Sequence, residues 1–278
     1  MIHTREMMMK YLTMNNGFLI PVLGTGTNTF GKKNNDFEGE ITFDTKELVS
    51  AFSHGYRLID TAIYYRNEAV IGKAVKESTI PREDFFITSK IPDKDEFSAT
   101  DDLVRNHVNA SLKAIDCGYI DLYLIHFPRS THEENLRVWR VLEQFVDQGK
   151  IRSIGVSNFN EEQLLYILNH GRMKPVLNQF LSYPGHHNQL LIDFCQSHRI
   201  IPEAYQSIKK VSEATKEVLG KIAKSYGKTW SQVVLNYQIS QGLVVIPKSH
   251  NSHHQLENMN VFDFSLTTKD KAIIRALN

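Results

Sequence analysis

The sequence predicts a single α/β domain over residues 1–278: a closed (β/α)8 barrel of the TIM type, with an N-terminal β-hairpin cap and an extra C-terminal helix. Three observations carry this expectation. Short β-branched or aromatic runs alternate eight times with longer stretches of helical spacing. The 278 residues match what such a barrel occupies as one domain. An open, doubly wound sheet would instead need a G-x-G-x-x-G turn after its first strand, and the nearest stretch, Gly24-Thr25-Gly26-Thr27-Asn28-Thr29, lacks the third glycine. P-loop and G-x-S-x-G signatures are missing as well.

The elements follow in order. Lys10–Leu12 and Phe18–Ile20 flank Asn15-Asn16-Gly17, which predicts a hairpin closed by a type I′ turn. Barrel strands are expected at Val22–Thr27, Tyr56–Asp60, Phe85–Lys90, Ile120–His126, Ile151–Ser157, Val176–Gln179, Ile200–Tyr205 and Leu243–Lys248. Helices are expected near 44–55, 67–77, 100–115, 133–148, 160–170, 187–198, 213–241 and 252–260. The seventh reads as two helices broken at Gly227, the second capped by Thr229. A last helix, Thr268 to Leu277, starts at the Thr267-Thr268 capping signal. Strands joined through helices must run parallel with right-handed crossovers, and eight such units in this length close on themselves.

Composition removes several function classes. Lys and Arg total 32 against 31 Asp and Glu, a net charge of +1, without the basic excess of a nucleic-acid or anionic-membrane binder. No run of 18 apolar residues could span a bilayer. Met1 to Lys10 has no apolar core, so no secretory signal is expected, and Met7-Met8-Met9 leaves the translation start open. Cys117 and Cys195 are too few for a disulfide framework and lack metal spacing. The expectation is a cytoplasmic monomer acting on a small molecule.

The strand ends carry the chemistry. In a closed α/β barrel the active site forms at the C-terminal ends of the strands. Here those ends deliver Asp60, with Tyr65 five residues on, then Lys90, His126, Ser157-Asn158, Asn178-Gln179, Tyr205 and Lys248-Ser249. Each alone has a plain structural reading: Asp60 and Thr61 could cap a helix, and His126 could be a satisfied core histidine. Together they converge on one mouth, and a buried polar group without a partner costs about 1–3 kcal/mol. Asp60 and Lys90 on adjacent strands can pair and hold a positive charge beside Tyr65. A phenol with a pKa of about 10 is a poor donor at neutral pH, and a fixed ammonium favours its phenolate. With His126 donating to the same oxygen, the set suits protonation of an oxygen on which charge develops, as in carbonyl reduction by hydride.

At these residues the sequence resembles the aldo-keto reductases over almost its whole length. The matching segments are Pro21–Thr27, Asp60–Glu68, Phe86–Lys90, Asp121–His126, Gly149–Phe159, Ile246–Ser249 and Glu257-Asn258. The resemblance implies an NADPH-dependent enzyme, NADH being an alternative, that reduces aldehydes and ketones. It implies that Tyr65 is the proton donor, that Lys90 and Asp60 tune it, and that His126 orients the carbonyl. It further implies that Gly26, Thr27 and Asp60 approach the cofactor from one side, that Ser157, Asn158 and Gln179 hold its carboxamide, and that Tyr205 stacks on the nicotinamide. Lys248, Ser249, Glu257 and Asn258 match positions around the adenosine end, and His254 stands where NADPH-preferring relatives commonly carry arginine. A barrel of the same family that binds cofactor as a regulatory subunit is the alternative.

The chain departs from its relatives in places. Pro92 stands two residues after Lys90 where an aromatic is frequent, Phe180–Pro184 replaces V-E-Y-H-P, and Gln206–Lys210 replaces S-P-L-G. The short loop after His126 and the early end of the chain suggest an open mouth for small or varied substrates. His250, His253 and His254 have helical spacing but no fourth ligand, so no metal site is expected. Glu203 with Asp60 could form a glycosidase pair, but that leaves Lys90, Tyr65 and Tyr205 without a role. A Schiff-base role for Lys90 is opposed by the adjacent aspartate, which keeps it charged. Arg66 and Trp139 are read as surface or packing residues.

Overall fold

The computed structural model describes residues 10–277, so the Met7–Met9 cluster and the leader reading lie outside the described residues. A two-stranded antiparallel hairpin, β1 (Tyr11–Thr13) and β2 (Leu19–Pro21), precedes the barrel. The barrel strands are β3 (Gly24–Gly26), β4 (Leu58–Asp60), β5 (Phe86–Ile91), β6 (Ile120–Ile125), β7 (Ile151–Ser157), β8 (Leu177–Leu181), β9 (Ile201–Tyr205) and β10 (Val244–Val245), all parallel and paired in sequence order. A parallel bridge between Leu23 and Val245, with Val245 N–H donating to Val22 at 2.9 Å, closes the ring.

The helices are α1 (Lys46–Ser53), α2 (Glu68–Glu77), α3 (Asp95–Ser98), α4 (Asp101–Ile115), α5 (His132–Asp147), α6 (Glu161–His170), α7 (Gln189–Ser197), α8 (Glu213–Lys224), α9 (Trp230–Ser240), α10 (Ser252–Met259) and α11 (Thr268–Arg275). Their starts are written in the sequence. Thr131, Asn160 and Thr229 each form a full capping box, with Glu134, Gln163 and Gln232 reaching back. Thr100, Ser212 and Thr267 each accept a backbone N–H of the first turn. The expected break at Gly227 falls between α8 and α9, and Gly227 sits there at φ +64°.

Two expectations are corrected. The hairpin turn is not type I′, which requires positive φ at two consecutive residues. Only Gly17, at φ +92°, is left-handed, and Gly17 N–H donates to Met14, so the three-residue loop ends on the glycine. The final barrel strand is also far shorter than Leu243–Lys248. Pro247 has no N–H for a ladder, and Lys248 and Ser249 lie beyond the strand in the following loop. The four-residue helix α3 escaped the periodicity, which needs more than one turn to register.

Two apolar layers result from the strand period of two. Leu58, Phe86, Leu122, Leu124, Leu177, Ile201 and Val244 fill the barrel interior, with Met14 and Ile20 of the hairpin among them. Ile59, Ile87, Tyr123, Ile125, Ile154 and Val156 face outward into the larger core beneath the helices. Trp139 is fully buried, and its indole N–H donates to Met173 at 3.1 Å, so it is a packing residue as expected.

Helices α2 and α4 approach closely at Gly72, where an added Cβ would stand 2.0 Å from the Ile115 carbonyl oxygen. Backbone cannot swing aside as a side chain can. Gly72→Ala should therefore destabilise the fold by about 1–3 kcal/mol, and a denaturant titration with an unchanged midpoint would show that the helices can part without cost.

Candidate active site

The same alternation that builds the core also builds the site. On β5 the interior positions are Phe86, Thr88 and Lys90, while Ile87, Ser89 and Ile91 point to the helices. Asp60, Gln179, Glu203 and Tyr205 share this interior parity on their strands. On β4, β5, β8 and β9 the interior apolar residues Leu58, Phe86, Leu177 and Ile201 come first and the polar ones last, so charge collects at one end of the barrel.

Lys90 is completely buried, and its ammonium contacts Asp60 Oδ1 at 2.7 Å, Asp60 Oδ2 at 2.6 Å and the Thr61 carbonyl at 2.9 Å. Burial opposes this charge, but Asp60, Tyr65 and Glu203 together hold Lys90 above its ordinary pKa. The structural reading of Asp60 as a helix cap does not apply, because both carboxylate oxygens turn to Lys90 and Gln179. Gln179 Nε2 donates to Asp60 Oδ2 at 2.8 Å and also to Glu203 Oε1.

Tyr65 ends a short 3₁₀ turn, Ile63–Tyr65, after which Arg66 adopts φ +58° and redirects the chain into α2. The Lys90 ammonium lies 5.1 Å from the centroid of its ring. Burial raises the Tyr65 pKa, and the charge of Lys90 opposes this without overcoming it. The tuning expected from the sequence is thus real in sign but outweighed by burial, and the charge of Asp60 works against it as well. His126 packs edge-on to Tyr65 at 5.8 Å and stacks on Phe127 at 4.7 Å. Burial, and then the positive charge of Lys90, hold its imidazole well below the usual pKa, so it is neutral.

A groove of about 520 Å³ runs across this end of the barrel. It brings together Gly26, Thr27, Asp60, Tyr65, His126, Ser157, Asn158, Gln179, Tyr205 and Lys248 of the expected residues. Lys90 lies beneath its floor, while Ser249, His254, Glu257 and Asn258 lie off this groove, on the loop before α10 or on α10 itself. Asn158 stands at φ +62°, a conformation that asparagine tolerates better than most residues and that clusters at functional sites. Its amide donates to the His126 carbonyl at 3.0 Å and Ser157 Oγ at 3.0 Å, and its oxygen accepts from Tyr205 Oη at 2.9 Å. Lys248 Nζ donates to Asn28 Oδ1 at 2.8 Å and Thr29 Oγ1 at 2.6 Å.

His250, on the loop before α10, and His253, on α10, turn to different partners. His250 bonds to Thr29 at 2.8 Å and Glu47 at 3.0 Å, and His253 faces Glu257 at 3.7 Å. Other residues of the site escaped sequence reasoning. Asn67 stands at the N-cap position of α2, but its side chain makes no cap bond. It donates to the Thr27 carbonyl at 2.7 Å and accepts from Thr61 at 2.8 Å, tying two mouth loops together. Asn28, Lys209 and Trp230 also line the groove. Lys209 had a visible signal, since it falls in the segment that departs from S-P-L-G.

Comparison with known proteins agrees with this geometry. A profile of the Aldo/keto reductase family matches residues 22–278. The chain belongs to the aldo/keto reductase family. It is accordingly an oxidoreductase that reduces carbonyl groups with a nicotinamide cofactor. Glyoxal reductase of Bacillus subtilis is 38% identical over 234 residues, covering 84% of this chain and 83% of its own length. An aldo/keto reductase from Brucella melitensis superposes with a TM-score of 0.88 at 32% identity, covering 98% of this chain and 100% of its own. A Bombyx mori aldo-keto reductase in complex with NADP gives a TM-score of 0.87 at 30% identity, covering 97% and 93%.

The buried pair makes its own prediction. Lys90→Met should cost about 3–5 kcal/mol of stability, because it leaves Asp60 buried without its partner. Adding Asp60→Asn should recover most of the loss. Urea titrations of the two single variants and the double variant form the cycle, and strictly additive losses would mean that the pair is not coupled.

Proposed function

We propose that the chain is a single-domain, NADPH-dependent reductase of small aldehydes and ketones in which Tyr65 donates the proton to the carbonyl oxygen. The observation that carries this reading is one cluster: a buried Lys90 held by Asp60, with Tyr65 over it and neutral His126 edge-on to Tyr65. The nicotinamide, when bound, supplies a hydride to the carbonyl carbon. This chain's residues manage the oxygen. Tyr65, held above the ordinary phenol pKa, keeps its proton through the neutral range and so meets the carbonyl in the form that can donate. The proton leaves the phenol hydroxyl for the oxygen as charge gathers there, and the Lys90 ammonium offsets the phenolate left behind. His126 is neutral, so it offers a ring N–H to the same oxygen without competing as an acid.

The groove suits a nicotinamide dinucleotide. Ser157, Asn158 and Gln179 present hydroxyl and amide groups for the carboxamide, and Tyr205, anchored through Asn158, presents an aromatic face. Gly26 approaches the Ile246 carbonyl so closely that a Cβ would stand 3.3 Å from it, which leaves backbone against the groove. Lys248, Ser249, His254, Glu257 and Asn258 would meet the adenosine end. The glyoxal reductase relative and the Pro92 position both favour small carbonyl compounds. The near-neutral charge and two unpaired cysteines favour a cytoplasmic protein, which we take to act as a monomer.

Tyr65→Phe should leave cofactor binding near normal and lower kcat by at least roughly 100-fold, the scale of a lost general acid. The assay is NADPH oxidation with glyoxal and simple aldehydes, and a variant keeping a tenth of wild-type turnover would exclude Tyr65 as donor.

Cofactor choice should depend on pH. Burial, then Lys209 and Lys32, push Lys248 down to about 8. Its charge is therefore present below that pH and lost above it, although a bound phosphate favours the charged form. A 2′-phosphate needs fixed positive charge, and a guanidinium supplies it best. NADPH should be preferred over NADH by less than an arginine at 254 would give, and the preference should shrink as pH rises through about 8. His254→Arg should tighten NADPH without improving NADH. Fluorescence-quenching titrations of both cofactors at pH 6 and pH 9 measure this, and tighter NADH binding at both pH values would overturn it.

A further inference from the structure

Glu203 is the buried titratable group that the chemistry above does not use. It is completely buried on β9, in register with Gln179 of β8, at the barrel interior below the mouth. Its Oε1 accepts from Gln179 Nε2, and its Oε2 has no hydrogen-bond partner among the described residues. The Gln179 amide nitrogen thus faces two carboxyl groups at once, Asp60 on one side and Glu203 on the other. A planar amide whose nitrogen is held this way must turn its oxygen elsewhere, and the other side of Gln179 is the groove. The reverse orientation would set the amide oxygen against the Asp60 carboxylate, which can only accept.

We infer that Glu203 is a positioning residue that, with Asp60, locks the Gln179 amide so that its oxygen faces the groove as an acceptor for the amide N–H of a nicotinamide. This rests on the functional reading proposed above. Asp60 alone cannot do this, since it also holds Lys90 through both oxygens and leaves the second amide N–H unmatched.

The neighbours of Glu203 explain how a second carboxyl is tolerated here. Facing it are Asp60 from β4, Lys90 from β5 and the Gln179 amide from β8. Burial first, then the negative charge of Asp60, push Glu203 up to about 8, so at neutral pH it is a carboxylic acid. As an acid it still offers Oε1 to Gln179 and adds no charge beside the Lys90–Asp60 pair. Deprotonation would place two carboxylates against one ammonium.

The test compares the wild type with Glu203→Gln and Glu203→Met in the whole protein. Glutamine reproduces the neutral acid and keeps the acceptor. Methionine has similar volume and shape, suits an apolar interior and has no acceptor for the amide. Dissociation constants of NADPH and NADH are read at neutral pH from quenching of intrinsic fluorescence, and thermal melts check folding. E203M should bind both cofactors roughly tenfold more weakly, the effect of one lost hydrogen bond. E203Q should stay within about threefold of the wild type, a rescue that a merely space-filling role would not single out. Infrared difference spectra supply a readout without cofactor: a carboxylic-acid carbonyl band that titrates near pH 8 in the wild type and is absent from E203Q. If the wild type binds cofactor and E203M binds equally well, the inference about Glu203 fails while the functional reading stands. If E203M does not fold, wild-type-like binding of E203Q, with the band present in the wild type, supports the inference, and weak binding of a well-folded E203Q overturns it. A wild type that binds neither cofactor overturns both.

Discussion

One ammonium in a dry barrel organises the rest of the site. Lys90 has no exposed surface, so its charge can exist only if the protein surrounds it with acceptors. Both oxygens of Asp60 and the Thr61 carbonyl supply them. The pair is an unpromising source of stability, since apolar residues would fill the same volume without a desolvation cost. Its consequence is electrostatic. A positive charge fixed beneath Tyr65 and near His126 adds to burial in keeping the imidazole neutral, and it lowers the cost of a phenolate.

The demand for acceptors spreads outward from that charge. Asp60 accepts from Gln179, Gln179 donates again to Glu203, and Thr61 is braced by Asn67, which also holds the Thr27 loop. Residues from β4, β5, β8 and β9 therefore depend on one another through hydrogen bonds rather than through apolar packing alone. Such a network is rigid when complete, and an incomplete one leaves buried groups unpaired. The mouth is thus prearranged before any ligand arrives, which lowers the reorganisation needed during reaction.

Around this floor the walls have hydrogen bonds of their own. Asn158 holds a left-handed conformation, and its side chain joins the His126 backbone, Ser157 and Tyr205. Lys248 sits among other cations, with Lys209 and Lys32 near enough to weaken its hold on a proton. An anion laid along the groove would relieve that repulsion. Gln206 to Lys209, which line the groove, lie on the loop after β9, so the charged floor sits on strands while this wall sits on a loop.

How much was legible in the sequence differs by element. The strand and helix alternation, the caps at Thr229 and Thr267, and the polar strand ends were all readable, because each depends on residues close together in the chain. Asp60, Lys90, His126 and Gln179 could be assigned to one mouth because parallel register and a period of two leave little choice of where they point. The hairpin turn and the last strand were misread, since dipeptide signals do not reveal how many residues turn left-handed or where a ladder ends. Three further matters waited for the tertiary structure. The sequence pairs Glu203 only with Asp60, whereas β8 sets Gln179 beside it, and nothing local shows that Asn67 reaches the Thr27 loop. The protonation of Tyr65 turned on burial, which outweighs the neighbouring ammonium. Local pattern determines which side chains share a face, but the free energy of a charge depends on everything packed around it, and that is decided only when distant segments meet.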